Sequence, residues 1–263
     1  IDEENLSKGR ERLTEAFEGD KSNPEFAMTL ALHYFVEGEP ERGTAVFEEL
    51  MANLPEDTAR AADAWRECGL YSLLQYNRNR LSFEQKRVQR ISPAELDALR
   101  ERIRQNKEEA IRCIEKALEL APDNVENLLA MGRLWASQRS LADDESQRER
   151  ENEEAFHRAE DFLKRAVHAD PDGYEGYLYL AQLHLSRENL DEAAQVLHAR
   201  LQRPVRREGV TAGRGTWFMS QIRSELFRVS MLQANAYLTE GADGRENPAF
   251  KELLARMENL HKD

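Results

Sequence analysis

The feature that most constrains the fold is a two-helix pattern over residues 174–204. Small and apolar side chains recur there at the spacing of two packed helices, and Pro204 closes the unit; the positions are Tyr177, Leu180, Ala181, His184, Ala193 and Leu197. A pattern of this kind repeats about every 34 residues. A single pair of short helices cannot bury its apolar face alone. The sequence therefore predicts similar pairs stacked against this one.

Further copies of the pattern cover most of the chain, and two of them are interrupted. We predict one continuous array with the following parts: a leading helix (1–20), repeat 1 (24–55), repeat 2 (58–122, insertion 73–108), repeat 3 (125–171, insertion 136–157), repeat 4 (174–204), a loop (205–216), and a degenerate repeat 5 with a C-terminal cap (217–262). Since the leading helix lacks a partner, we interpret Ile1 as a cut or processed start.

Small residues recur in register across these units, which a chance amphipathic bundle would not require. One slot holds Ala31, Gly69, Gly132 and Ala181, and another holds Ala110, Ala159 and Ala193. The chain thereby resembles the tetratricopeptide repeat (TPR) family over nearly its whole length. The resemblance implies an all-α fold, a right-handed superhelix (α-solenoid) of about five helix pairs, with elongated helices in repeats 2 and 3.

The two insertions fall between the first and second helix of consecutive repeats. Ser92, Pro93 and Glu95 form a capping box with proline in the first turn, which predicts a helix from there to about Ala121. Residues 145–169 contain no helix breaker and predict a second long helix. Insertions in such arrays often lie on a binding face. The inserted residues either bind a partner or only pack on each other.

The charge distribution argues against a nucleic-acid partner. The net charge is −13, whereas phosphate contacts require concentrated Lys and Arg. Two basic clusters stand out locally: Arg78, Arg80, Lys86, Arg87 and Arg90, and then Arg203, Arg206, Arg207 and Arg214. Residues 141–156 carry seven acidic against two basic side chains. These clusters are either solvated surfaces, or the basic ones complement an acidic partner or the acidic insertion of another copy. The first basic cluster is the predicted electrostatic patch.

No catalytic or metal-binding pattern is present in the sequence. The histidines form no HExxH arrangement, and the glycines at 209, 213 and 215 lack the strand and Lys-Ser of a phosphate-binding loop. Cys68 and Cys113 fall at helical core positions, where buried free thiols are the usual state. We therefore expect no enzyme activity, no cofactor and no metal site.

Function follows from the TPR resemblance, which implies a concave groove lined by the first helix of each repeat. Carried over position by position, the groove residues are Met28, Leu32, Phe35, Arg66, Leu70, Leu73, Leu129, Arg133, Ala136, Leu178, Gln182, Leu185, Met231, Asn235 and Leu238. These side chains are mainly apolar, so the resemblance predicts a scaffold for a partner peptide or amphipathic helix and not a carboxylate clamp. The chain's own last helix is an alternative occupant.

Several broader expectations remain open at the level of sequence. The most apolar stretch, residues 26–36, is too short to span a bilayer, so we expect no membrane insertion. We expect a cytoplasmic protein, with a processed periplasmic or a nuclear one as alternatives.

Residues 6–43 also resemble the TPR subunit of the polymerase II-associated elongation complex. An alternative is therefore a regulatory or accessory domain of a larger enzyme or of such a complex. Apolar faces at either end could pair between copies as a homo-oligomer.

Overall fold

The computed structural model describes residues 3–54, 58–89, 92–203, 212–239 and 248–260. These residues form helices and contain no strand. The helices are α1 (Glu3–Gly19), α2 (Pro24–Glu37), α3 (Pro40–Ala52), α4 (Thr58–Val88), α5 (Pro93–Leu120), α6 (Val125–Ser137), α7 (Glu145–Ala169), α8 (Glu175–Leu185), α9 (Leu190–Leu201), α10 (Ala212–Thr239) and α11 (Pro248–Leu260). The all-α prediction is confirmed.

The chain divides into two compact units, Ile1–Ala155 and Phe156–Asp263. Unit 1 contains α1 to α6 and the first part of α7, and unit 2 contains the rest. Predicted repeat 3 spans both units, so its helix pairing and the single continuous array stay predictions.

Local sequence signals fix the ends of α2. The Oδ1 atom of Asn23 accepts hydrogen bonds from the backbone N–H groups of Glu25 and Phe26, at 3.0 and 3.2 Å, and Pro24 occupies the first turn. At the other end Gly38 has a φ of 87°, a left-handed conformation that glycine adopts without steric cost. The helix therefore stops there and leaves room for the short turn into α3.

The elongated helices begin where the capping signals place them. Ser92 Oγ accepts from the backbone N–H of Glu95 at 3.3 Å and lies 3.0 Å from Glu95 Oε2. From this cap α5 runs for 28 residues, beside an α4 of 31 residues. The predicted 145–169 helix is α7. The prediction of long helices in repeats 2 and 3 is confirmed.

Helices α4 and α5 approach closely at Gly69. A Cβ built at this glycine would lie 2.5 Å from Ile114 Cγ1 and 3.1 Å from the carbonyl oxygen of Ala110. Only hydrogen fits there without movement of a neighbour. The other members of this slot, Ala31, Gly132 and Ala181, are also buried. The small residues therefore mark close helix packing, as their register predicts.

The inserted residues 73–108 continue the packing of α4 on α5, and we call this extended helix pair the projection. Tyr76 and Phe83 of α4 and Leu99 and Ile103 of α5 are buried within it. One flank is covered by residues 138–144, which follow α6. The backbone N–H of Arg139 donates to the Tyr76 hydroxyl at 3.2 Å, and Arg100 forms an ion pair with Asp143 at 2.9 Å. The two insertions therefore meet within one molecule.

Unit 2 packs α9 between α8 and α10, with α11 against α10. Its main apolar cluster includes Tyr177, Ala181, Leu197, Ile222 and Leu226. A second, smaller cluster joins α10 to α11 through Ala234, Phe250, Leu253 and Met257.

The loop predicted over 205–216 ends earlier than expected, because α10 begins at Ala212. The prediction rested on glycines at 213 and 215. A glycine costs a helix about 1 kcal/mol relative to alanine, which the long apolar continuation of α10 offsets.

Candidate functional site

The first helices of unit 1 lie side by side and form the candidate groove. Helix α4 packs against α2 on one side and against α6 on the other. On α2, Leu32 is 39% exposed and Val36, one turn further on, is 76% exposed. Met28 and Phe35 on the same helix are half-buried. The surface of α2 therefore presents these four apolar side chains over about two and a half turns, and Val36 belongs to it although the groove prediction omitted it.

The polar centre of the groove is an ion cluster around Arg66. Its guanidinium contacts Asp63 at 2.6 Å, Glu67 at 3.1 Å and Glu126 at 2.9 Å. Burial raises the pKa of Glu67, and the charge of Arg66 opposes that shift. Since Glu126 belongs to α6, the cluster ties α4 to α6. Arg66, predicted as a polar anchor for a partner, is thus occupied by the protein's own carboxylates.

The remaining predicted groove residues of unit 1 differ in accessibility. Leu70, Leu129 and Ala136 are half-buried, and Arg133 is exposed. Leu73 is only 7% exposed and belongs to the core. At this exposure the side chain is not available to a partner. This corrects the prediction for Leu73.

Unit 2 presents its own set of predicted groove residues. Leu178 and Leu185 of α8 are half-buried, and Gln182 between them is exposed. On α10, Met231 is 50% exposed, and Asn235 and Leu238 are also exposed. These side chains therefore form accessible stretches on the first helices of repeats 4 and 5.

The predicted basic patch separates into residues with different surroundings. Arg87 forms an ion pair with Glu84 at 2.9 Å, and Arg90 lies outside the described residues. Arg80 has a buried Nε atom without a hydrogen-bond partner among the described residues. The guanidinium of Arg78 lies over the Phe35 ring, 4.9 Å from its centre. Arg78 therefore links the projection to the candidate groove.

Arg78 and Lys86 line a cavity of about 580 Å³ between the projection and the turn from α2 to α3, which we call the basic notch. Arg102 of α5 lines the same cavity, and Glu41 is the one carboxylate among the described lining residues. The remaining members are Gly38, Pro40, Gln75, Asn79, Ser82, Leu99, Gln105 and Asn106. The notch exists because the long α4 and α5 stand beside the short α2 and α3.

One cluster in the described part of the chain has donor atoms close enough to share a metal ion. The sulfur atoms of Cys68 and Cys113 lie 3.1 Å apart, and Glu109 Oε1 is 3.3 Å from the Cys113 sulfur. The hydrogen bond with Cys68 and burial raise the pKa of the Cys113 thiol. Arg112 pairs with Glu109 at 2.9 Å, and structural zinc sites use four protein ligands. We therefore describe the cysteines as buried free thiols, as predicted.

Arg200 of α9 is buried and has a structural role that the sequence pattern did not predict. It is 0% exposed and donates from Nε to the carbonyl oxygen of Gly173 and from Nη2 to that of Asp172, at 2.9 and 2.8 Å. Its guanidinium carbon lies 4.0 Å from the centre of the Tyr174 ring. These contacts connect the turn before α8 to helix α9. An arginine near the end of a helix is usually exposed, so the sequence contains no indication that Arg200 is buried.

Residues 152–206 match the tetratricopeptide repeat family. This stretch of the chain carries TPR sequence. The match covers the region in which the sequence pattern is most regular, and it includes α8 and α9, which pack against each other as consecutive helices; α2 and α3 do the same in unit 1. No curated protein matches this chain in sequence.

Solved structures with a similar fold include two of human IFIT1. The IFIT1 dimer with m7Gppp-AAAA has a TM-score of 0.56 at 17% identity, covering 86% of this chain and 43% of IFIT1. The IFIT1 dimer with PPP-AAAA gives 0.54 at 17% identity, covering 86% and 42%. At this identity the likeness concerns the fold alone. The present chain spans less than half the length of these proteins.

Within the described ranges of this protein, no helix combines the length and apolarity needed to cross a bilayer.

Proposed function

We propose that this protein is a non-catalytic scaffold whose first-helix groove in unit 1 binds an amphipathic helix or an extended apolar peptide of another protein. TPR folds are interaction scaffolds in general, and the family is typically non-catalytic. The observation that carries the proposal is the exposed apolar surface of α2, where Leu32 and Val36 lie one turn apart beside half-buried Met28 and Phe35.

The neighbouring helices supply the rest of the surface. Half-buried Leu70 of α4 and Leu129 of α6 continue the apolar character across three adjacent first helices. A partner helix recognised in this way uses side chains at i, i+3, i+4 and i+7. Because Arg66 is neutralised by three carboxylates, it offers little attraction to a partner's C-terminal carboxylate. The surface is better suited to apolar side chains.

A protein partner is favoured over RNA by charge. The IFIT1 structures hold RNA, but the present chain has 50 acidic against 37 basic residues, and phosphate binding requires local neutralisation by Lys and Arg. In unit 1 the groove residue Arg66 is already paired. The charge therefore supports a peptide or helix as ligand.

The proposal is tested by comparing partner capture between variants with matched chemistry. Leu32→Asp and Leu70→Asp place a carboxylate in the groove, whereas Val88→Asp places one on the projection, where Val88 is 80% exposed. We expect the groove pair of substitutions to abolish retention of specific proteins from a lysate of the source cells, and Val88→Asp to leave it unchanged. Equal retention by all variants would refute groove binding, provided that circular dichroism shows each one folded.

A further inference from the structure

We propose that the basic notch is a docking site for an acidic peptide segment of the partner protein. The inference rests on the proposed scaffold function and adds the chemistry of a second contact, outside the apolar groove. Three features of the structure support it. The notch cations have no carboxylate partner among the described residues, an arginine on the opposite flank of the projection has one, and the notch lies beside the groove.

The cations of the notch are distinguished by the absence of ion pairs. Most arginines on α4 and α5 pair with a carboxylate: Arg87 with Glu84 at 2.9 Å, Arg104 with Glu101 at 2.6 Å, and Arg112 with Glu109. Within the described part of the chain, no carboxylate pairs with Arg78, Lys86 or Arg102. In a protein with an excess of carboxylates, three unpaired cations around one cavity are notable.

Side-chain amides that line the notch are hydrogen-bonded to one another. Asn79 Nδ2 donates to Asn106 Oδ1 at 2.9 Å, and Asn106 Nδ2 donates to Gln75 Oε1 at 3.3 Å. Gln75 Nε2 in turn donates to Thr44 Oγ1 at 3.1 Å. These bonds join α4 to α5 and to α3. These contacts hold α4 and α5, the helices that carry the three cations, in a defined relative position.

On the opposite flank of the projection, an arginine of α5 forms an ion pair with a carboxylate from another segment of the chain. Arg100 and Arg102 are two positions apart on α5 and therefore face about 200° apart. Arg100 is paired with Asp143, which follows α6 in the chain. Arg102 faces the open notch. One arginine of α5 is thus already paired with a carboxylate from another segment of the chain, and the second flank offers cations without such a carboxylate.

The net charge of the whole protein does not prevent this contact. At physiological ionic strength, charges are screened over about 8 Å, so the potential in the notch depends on its nearest side chains. Those are three cations and Glu41. Because Arg78 also stacks on Phe35, a partner in the groove can reach the notch without leaving the protein surface.

The test measures binding of a short fluorescein-labelled peptide of alternating Glu and Ser to the full chain by fluorescence anisotropy. Its Gln and Ser counterpart serves as the uncharged probe. Arg78→Ala with Arg102→Ala removes two notch cations. Arg87→Ala with Arg104→Ala removes the same charge from the same helices outside the notch. Lys86→Ala is an independent single variant.

We expect the acidic peptide to bind more tightly than the amide peptide, and affinity to fall about tenfold in the Arg78 and Arg102 double variant. The Arg87 and Arg104 variant should change it by less than about twofold, and Lys86→Ala should weaken binding. Equal losses in both double variants, or none in either, would overturn the proposal. So would tighter binding of pyrophosphate or of a single-stranded RNA oligomer than of the acidic peptide.

The groove variants separate this inference from the proposed function. Leu32→Asp with Leu70→Asp should abolish partner capture and leave acidic-peptide binding intact. If the groove variants lose capture while the notch variants bind the acidic peptide normally, the scaffold function stands and the notch inference fails. If the groove variants still capture the partner, the groove proposal itself fails.

Discussion

The guanidinium of Arg78 lies over the ring of Phe35, with 4.9 Å between the guanidinium carbon and the ring centre. Arg78 belongs to the inserted part of α4, and Phe35 belongs to the predicted groove on α2. The contact therefore joins the two surfaces for which we propose a function. Phe35 is half-buried and borders the core of unit 1.

The close approach of α4 and α5 predicts the effect of enlarging Gly69. Gly69→Val should lower the free energy of unfolding by about 2 kcal/mol, because its side chain would overlap Ile114 and the Ala110 carbonyl. Gly9→Val on α1 is the matched control, since a Cβ at Gly9 meets no atom within 4 Å. Urea denaturation followed by circular dichroism measures both. Equal stability of the two variants would show that α4 and α5 are not in close contact at Gly69.

The buried Arg200 should be necessary for the stability of unit 2. Arg200→Met keeps the length of the side chain but leaves the carbonyl oxygens of Gly173 and Asp172 without these donors, at a cost of about 3 kcal/mol. Arg228→Met removes an exposed arginine paired with Glu225 and should cost less than about 0.5 kcal/mol. Thermal denaturation compares the two. A small effect of Arg200→Met would mean that water or a neighbouring group satisfies these carbonyls.

Unit 2 should lose stability in mild acid through His184. Burial lowers the pKa of His184, and nearby Glu160 only partly opposes this. Since the folded state disfavours the charged imidazole, the stability contribution is present above pH 6.5 and declines as the pH falls below it. Denaturant midpoints at about pH 7.5 and about pH 5.5 measure the decline.

His184→Phe should flatten this dependence while keeping the aromatic contact with Phe156. His157→Gln is the control, because the His157 side chain is 65% exposed. An unchanged pH dependence in His184→Phe would assign the acid sensitivity to other groups.

The two thiols should react slowly with a disulfide reagent in the folded protein. Both cysteines are buried, and the pKa of Cys113 is raised, so the thiolate that attacks the reagent is scarce. Reaction with Ellman's reagent at about pH 8 should therefore accelerate strongly on addition of urea. Rapid reaction of either thiol without denaturant would contradict the buried arrangement.

The sequence predicts helices and close contacts well, because these depend on local signals. The capping box at Ser92 fixed the start of α5, and the small residue at Gly69 marked its contact with α4. Burial of Leu73 and the pairing of Arg66 could not be read in this way. They depend on where an inserted helix and a carboxylate of another helix lie in space.

The sequence predicts only some of the residues that line the basic notch. The cluster of cations at 78–90 is visible in the sequence, but Arg102 joins it only because α5 folds back along α4. Conversely, Arg87 belongs to the sequence cluster and is paired with Glu84 on its own helix. A charge pattern along the chain therefore indicates a basic region without identifying the residues that face one cavity.

The central claim is that the α2 surface around Leu32 contacts a partner protein. The most direct measurement places a photoreactive benzoylphenylalanine at position 32 or, as control, at position 88, and identifies crosslinked proteins in the source cells. We expect a protein that crosslinks at position 32 and not at position 88, and whose crosslink is lost when Leu70→Asp is added. Identical products at both positions, or crosslinks at position 32 that persist with Leu70→Asp, would contradict a partner contact at Leu32.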